Sequence, residues 1–181
     1  MLFDVQIDGH RRTFSFPSSP YYKDLLANPE HKKACADALL TEDTLSTIIQ
    51  DNNLLILSSH FNEPEYQARI INLLLLPKFY KAFEEGTSCL TIFWERLKKE
   101  KDVFKKIELP FADMTTEQLK NFTKLFPEHK TEAAAELAKR HCCSRFAKQI
   151  MGCWQTLWHK GNDRNQVISN SQTPSLGKKD N

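Results

Sequence analysis

The chain has 181 residues, 40% of them hydrophobic, which is enough for one folded domain with a buried core and too apolar for a disordered protein. Its 25 lysines and arginines exceed its 23 aspartates and glutamates by only two, and this small surplus argues against a protein that coats nucleic acid. The five glycines are widely separated, which excludes the glycine-rich loops of P-loop and Rossmann nucleotide sites.

Residues 1–18 are predicted to form a β-hairpin packed on the rest of the protein. Apolar and polar residues alternate on both sides of Asp8-Gly9, a dipeptide that favours a two-residue type I′ turn. Such a turn pairs Phe3 with Phe14 and places the apolar residues of both strands on one face. Because a lone hairpin is marginal in water, we expect this face to lie on the helical body. The alternative role is an open edge that accepts a partner's strand.

Residues 19–160 are predicted to be helical, since proline follows a capping residue where apolar residues begin to recur with helical spacing. Thr115 and Gln118 have the spacing of a capping box. The predicted helices span 20–27, 29–40, 43–58, 63–76, 78–85, 88–106, 116–126 and 131–160. Residues 161–181 are polar and are expected to form a disordered tail. The predicted fold class is mostly α, an irregular or repeat-like helical stack with an N-terminal β-hairpin.

Three stretches of the chain begin alike, with Pro-Glu at positions 29, 64 and 127. A second echo, in which Leu25-Leu26 recurs as Leu73-Leu74, follows a different period, so internal repetition and an irregular bundle both stay open. The helix starts Asn28-Pro29-Glu30 and Glu63-Pro64-Glu65 resemble those of HEAT and armadillo repeats over residues of about 20–160. This resemblance implies a curved helical stack that binds proteins or peptides without catalysis.

Cysteine offers the strongest enzymatic alternative. The five cysteines are odd in number and follow no secretory signal, so we expect reduced thiols and a cytoplasmic location. Cys89 lies in the first turn of a predicted helix, where the pKa of a thiol falls, and it would be the nucleophile of a small cysteine-dependent enzyme. The sequence contains neither Cys-x-x-Cys nor His-Glu-x-x-His, and we predict no catalytic residue, no metal site and no cofactor.

The last predicted helix carries two apolar lines and is therefore apolar over more than half of its circumference. One line contains tryptophan and methionine, whose large side chains are typical of partner interfaces. Burial of this line inside the protein is the alternative. The predicted partner-binding residues are Met151, Trp154 and Trp158, together with the basic Arg145 and Lys148.

The predicted function is a non-catalytic protein–protein interaction module, an adaptor, regulator or effector-like protein that uses a helical surface. Its partner is expected to be another protein or a peptide rather than nucleic acid. A secondary alternative is a peripheral membrane binder that uses the tryptophan-bearing helix and the basic segment 96–106. The Lys-, Asn- and Phe-rich composition suits a bacterial protein delivered into a host cell.

Overall fold

A computed structural model describes residues 1–19, 21–100 and 107–140 of the chain. The described residues are mostly helical and begin with an antiparallel two-stranded hairpin, which confirms the predicted fold class. The chain divides into two units, residues 1–136 and 137–181. The predicted tail, 161–181, lies outside the described residues.

The hairpin consists of β1 (Leu2–Ile7) and β2 (His10–Ser15). The α-helices that follow it in the described ranges are α1 (Tyr22–Ala27), α2 (Pro29–Leu39), α3 (Glu42–Gln50), α4 (Leu54–His60), α5 (Pro64–Leu74), α6 (Pro77–Glu84), α7 (Ser88–Lys99) and α8 (Thr116–Leu125). A 3-10 turn (Pro127–His129) then leads into helical residues 130–140. The predicted helix 88–106 is too long, because α7 ends at Lys99 with Glu100 as its non-helical C-cap, and residues 101–106 lie outside the described residues. Most of the predicted helix 131–160 also lies outside them.

The hairpin has the register that its turn predicts. Phe3 pairs with Phe14, and the turn residues Asp8 and Gly9 have φ angles of 52° and 77°. Positive φ at both positions is what a type I′ turn requires, and glycine and aspartate tolerate it. The apolar face of β1 packs on α2, as expected, and its buried residues are Phe3, Val5 and Ile7.

A cluster of aromatic rings attaches the hairpin to the helices. Tyr22 of α1 lies at its centre, with its ring centroid 6.1 Å from Phe3, 5.5 Å from Phe16 and 5.2 Å from His60. All three contacts are edge-to-face, the arrangement that the ring quadrupoles favour. The cluster therefore joins β1, the segment after β2, α1 and the end of α4 in one buried contact.

The predicted single helix 43–58 is wrong, because the structure has two helices there, α3 and α4. The helix is interrupted at Asn52, whose φ of 58° lies in the left-handed region that asparagine tolerates. The N–H groups of Asn52 and Asn53 bond to the carbonyls of Ile49 and Ile48, which closes the end of α3. Apolar residues keep a helical spacing across the break, so the hydrophobic pattern did not reveal it.

Capping confirms other boundaries. The Asn28 side chain accepts hydrogen bonds from the N–H groups of Glu30 and His31 at the start of α2. Thr115 and Gln118 form the predicted capping box at the start of α8. The first helix, by contrast, begins at Tyr22 rather than at the predicted residue 20.

Buried amides bind helix-end carbonyls that have no partner within their own helix. The Gln67 Nε2 donates to the carbonyls of Ser58 at 2.9 Å and Phe61 at 2.6 Å, at the end of α4. From α8, the Gln118 Nε2 donates to the Asn72 carbonyl at 2.7 Å, near the end of α5. These bonds fix the ends of α4 and α5 against neighbouring helices.

A partly buried ion pair connects α2 to the residue before α5. The Lys32 ammonium binds the Glu63 carboxylate and lies 5.9 and 6.0 Å from the ring centroids of Phe61 and Tyr66. Burial acts to raise the pKa of Glu63, but the hydrogen bond from Lys32 and a backbone hydrogen bond outweigh it, so the pKa is lowered. The Glu63 carboxyl is therefore ionised at neutral pH.

Replacing Gln67 with leucine should lower the free energy of unfolding by about 1–3 kcal/mol, because two buried carbonyls lose their donor. Urea unfolding followed by circular dichroism measures the loss. Gln50→Leu, at an exposed position in α3, is the control and should change stability by less than about 0.5 kcal/mol. Equal losses in the two variants would contradict the role assigned to Gln67.

Replacing Lys32 with methionine should reduce the dependence of stability on acid pH. A carboxyl whose pKa is lowered by folding stabilises the protein above its unfolded pKa, near 4.5 for Glu63, and this contribution disappears as pH falls through the folded pKa. Wild type should therefore lose more stability than Lys32→Met between about pH 5 and pH 3. Urea unfolding at four pH values measures the difference, with Lys33→Met, exposed on the same helix, as the control that keeps the wild-type slope.

Candidate functional site

The partner-binding residues predicted from the sequence lie outside the described residues and stay a prediction. They are Arg145, Lys148, Met151, Trp154 and Trp158. The described residues include two cysteines, Cys35 and Cys89, and two surface clefts in the N-terminal unit.

The lowered pKa predicted for Cys89 is wrong. The residue does lie in the first turn of α7, but it is only 2% exposed and its Sγ donates to the Ile49 carbonyl at 3.6 Å. Burial raises the pKa of the Cys89 thiol, and this outweighs the lowering by the N–H groups of Leu90 and of Cys89 itself. The helix start is present, yet the site favours the thiol over the nucleophilic thiolate.

Cys35 is also unsuited to nucleophilic chemistry. It is 0% exposed and lies on α2, and burial raises the pKa of its thiol to about 11. Burial, and then the neighbouring Cys35, also raises the pKa of Tyr22, whose hydroxyl is buried and has no hydrogen-bond partner among the described residues. This neighbourhood is therefore an apolar interior that disfavours charge, not a reaction centre.

One surface cleft, of about 490 Å³, is formed by α3, α6 and the start of α7. The Lys78 ammonium in it binds the Glu42 carboxylate at 2.7 Å, so the main cation of the cleft is already neutralised. Cys89 contributes to the wall of this cleft, but the residue is buried and only 2% exposed. The other lining residues are uncharged: Ser46, Ile49, Gln50, Asn52, Phe79, Ala82, Thr87 and Ser88.

A second cleft, of about 460 Å³, lies between β2 and the first two helices. The Tyr21 side chain rises from its wall and is 72% exposed, while Phe14 is half-buried and Leu25 is buried. Apolar and polar groups therefore meet in one groove along the hairpin. Its lining residues are Arg12, Thr13, Phe14, Tyr21, Asp24, Leu25 and His31.

The unpaired backbone edge of β2 borders this cleft. In a hairpin with a two-residue turn, residue pairs alternate between those that exchange hydrogen bonds and those whose N–H and C=O groups point away from the partner strand. The Phe16 N–H bonds to the Met1 carbonyl at 2.8 Å, which sets the alternation. The backbone groups of Phe14 and Arg12 therefore face β1, and those of Arg11 and Thr13 point outward. Thr13 also lines the cleft, so the open edge faces it.

Charge on the two sides of the hairpin is distributed unequally. On the outer side, Asp4 binds the Arg11 guanidinium and accepts a hydrogen bond from the Thr13 hydroxyl, and these bonds lower the pKa of Asp4. The His31 Nε2 lies 3.5 Å from the Asp8 carboxylate. Arg12, exposed on the cleft side, has no ion-pair partner within the described ranges. Its guanidinium is available to an incoming anion.

The sequence indicated an open hairpin edge as an alternative binding site, but it did not indicate the residues that line the cleft. Tyr21 and Tyr22 are adjacent, and each is followed four residues later by a leucine, so helical spacing does not decide which ring is buried. The hairpin and α4 decide it, by enclosing Tyr22 and leaving Tyr21 outside.

No protein-family model, no curated protein and no solved structure matches this chain. The resemblance to HEAT and armadillo repeats stays a prediction. Within the described ranges, the helices lack the combination of length and apolar character that crossing a bilayer requires.

Cys35 in the folded full chain should react with iodoacetamide at pH 8 about 100-fold more slowly than in urea. The reason is that raising its pKa from 9.0 to about 11 lowers the thiolate fraction by that factor. Cys89 should also be slowed, and peptide mass spectrometry after timed quenching measures both. A Cys89 that reacts faster in the folded chain than in urea would revive the enzyme alternative.

Proposed function

We propose that the chain is a non-catalytic protein–protein interaction module that binds another protein or a peptide through the cleft beside β2. The observation that carries this proposal is the meeting, in one groove, of an exposed aromatic ring, a guanidinium without an ion-pair partner in the described ranges, and an unpaired strand edge. Tyrosine and arginine, together with tryptophan, are enriched among the residues that dominate binding energy at protein interfaces.

The composition of the cleft suits a macromolecular partner better than a reaction. Tyr21 offers a large apolar area with little side-chain entropy to lose, and Arg12 can bind a carboxylate through two parallel hydrogen bonds. Among the described lining residues Asp24 is the one carboxylate, so these residues do not supply the pair of carboxylates that acid–base catalysis on a glycoside would use. The buried thiols Cys35 and Cys89 further weaken the cysteine-enzyme alternative.

The finer roles of adaptor, regulator and effector-like protein remain predictions from the sequence. So does a second contact through Met151, Trp154 and Trp158, because these residues lie outside the described part of the chain. The membrane alternative depends on the same residues. It predicts salt-sensitive binding to anionic vesicles, whereas cleft recognition predicts a protein partner.

Replacing Tyr21 with alanine, or Arg12 with serine, should reduce capture of protein partners by about tenfold or more, because each change removes a central contact of the cleft. Affinity capture from cell extract with the immobilised full chain, quantified by mass spectrometry, measures the loss. Matched controls are Ile92→Ala, at a 49% exposed position on α7, and Lys120→Ser, exposed on α8, which should capture as wild type does.

A double variant, Trp154→Ala with Trp158→Ala, separates the two proposed surfaces. If it abolishes capture while the cleft variants retain it, the interaction belongs to the predicted tryptophan patch and the cleft assignment is wrong. If wild type itself captures nothing above a blank resin, the proposal of an interaction module is wrong.

A further inference from the structure

We infer that the partner contributes an extended segment that pairs with the outer edge of β2 and becomes the third strand of the hairpin sheet. This inference rests on the proposed function and adds the conformation and the chemistry of the partner. Its basis is the register of the hairpin, which fixes both the backbone groups and the side chains that an added strand would meet.

The backbone groups available for pairing span a short stretch. The N–H and C=O groups of Arg11 and Thr13 point outward, two residues apart, which is the spacing of one ladder. The Ser15 carbonyl accepts a hydrogen bond from the Ser19 N–H at 2.9 Å, so the edge is closed beyond that point. An added strand therefore pairs with about five residues of β2, an ordinary length for strand addition.

The side chains on the cleft side specify what the added strand carries. Residues of that strand opposite Arg12 and Phe14 point toward the cleft and lie two positions apart in sequence. The position opposite Phe14 meets an apolar surface that includes Tyr21 and Leu25 and favours an apolar or aromatic side chain. The position opposite Arg12 meets its guanidinium and favours aspartate or glutamate. Asp24 on the opposite wall disfavours a second acidic side chain.

Antiparallel pairing gives these two positions an order. Antiparallel ladders are more stable per residue than parallel ones, and an antiparallel strand reaches Phe14 before Arg12. The predicted segment is therefore an apolar residue, any residue, and then an acidic residue, within an extended stretch without proline. The middle residue lies opposite Thr13 and exchanges both backbone hydrogen bonds with it.

Charge disfavours a second copy of this chain as the occupant. Two β2 edges paired antiparallel with Arg11 of each copy opposite Thr13 of the other would place the two Arg12 side chains directly opposite each other, and like charges across a ladder are destabilising. Only Arg11 is neutralised within its own hairpin, by Asp4. An acidic strand removes the repulsion and supplies the partner that Arg12 lacks in the described ranges.

The test uses fluorescein-labelled nine-residue peptides that alternate threonine with valine around a central Phe-Thr-Glu, and the full chain as receptor. Fluorescence anisotropy should show saturable binding that weakens about tenfold or more when the glutamate becomes lysine. Arg12→Glu should invert this preference, while Lys120→Glu, the matched charge reversal outside the cleft, should leave it unchanged. A Glu-Thr-Phe peptide that binds as well as Phe-Thr-Glu overturns the predicted order.

Backbone methylation of the peptide tests strand pairing without changing the protein. N-methylation of the central threonine removes the N–H that faces β2 and should abolish binding, whereas N-methylation of the glutamate, whose N–H points away, should preserve it. Hydrogen exchange by NMR should show that peptide slows exchange of the Arg11 and Thr13 amides. Equal effects of the two methylations overturn strand addition.

The outcomes separate this inference from the proposed function. If none of the peptides binds while cell partners are still captured and are lost in Tyr21→Ala, strand addition is wrong and the interaction module stands. If neither peptides nor cell partners bind, both are wrong. If the chain alone dimerises with slowed exchange at Thr13, the edge belongs to a second copy and the proposed partner chemistry is wrong.

Discussion

The one-sided hairpin is the constraint on which the described surface depends. Because apolar residues occupy every second position of β1, only one face of the sheet can leave water, and that face must lie on the helices. The aromatic cluster around Tyr22 receives it. Once β1 is packed on α2, β2 has a helical wall beneath it, and its edge away from β1 pairs with no strand in the described ranges, so a cleft with an open edge results.

The packing of the hairpin also determines which of its polar side chains bind one another and which remain available to a partner. A slip of the hairpin by one residue would turn its buried face to solvent, so the register is strongly determined. In that register Asp4 binds both Arg11 and Thr13 on the outer face, and Arg12 is left on the cleft side. The recognition chemistry that we propose thus follows from the alternation of side chains, since the neighbouring Arg11 and Arg12 point to opposite faces of the strand and meet different surroundings.

Local chemistry was predictable from the sequence, and long-range packing was not. The type I′ turn at Asp8-Gly9 and the capping box at Thr115 depend on residues close in sequence, and both are confirmed. The helix break at Asn52 was not predicted, because the helical spacing of apolar residues continues across it. The lowered pKa predicted for Cys89 was wrong for a different reason. Its position at a helix start was predicted correctly, but its burial depends on α3, some 40 residues earlier in the chain. Tyr21 was missed because only the tertiary contacts of Tyr22 distinguish the two rings.

The rigidity of the cleft determines what kind of recognition it supports. Its wall is the six-residue α1, too short to be stable alone, and it is held by the Tyr22 ring on one side and by the capped start of α2 on the other. A wall fixed in this way loses little conformational entropy when a partner binds, so the ordering cost falls on the added segment. In the strand addition that we propose, backbone pairing supplies affinity that depends little on sequence, and the positions opposite Phe14 and Arg12 supply the selection. In that proposal specificity resides in two side chains spaced by one residue, because an added strand has the same alternation of side chains as the hairpin.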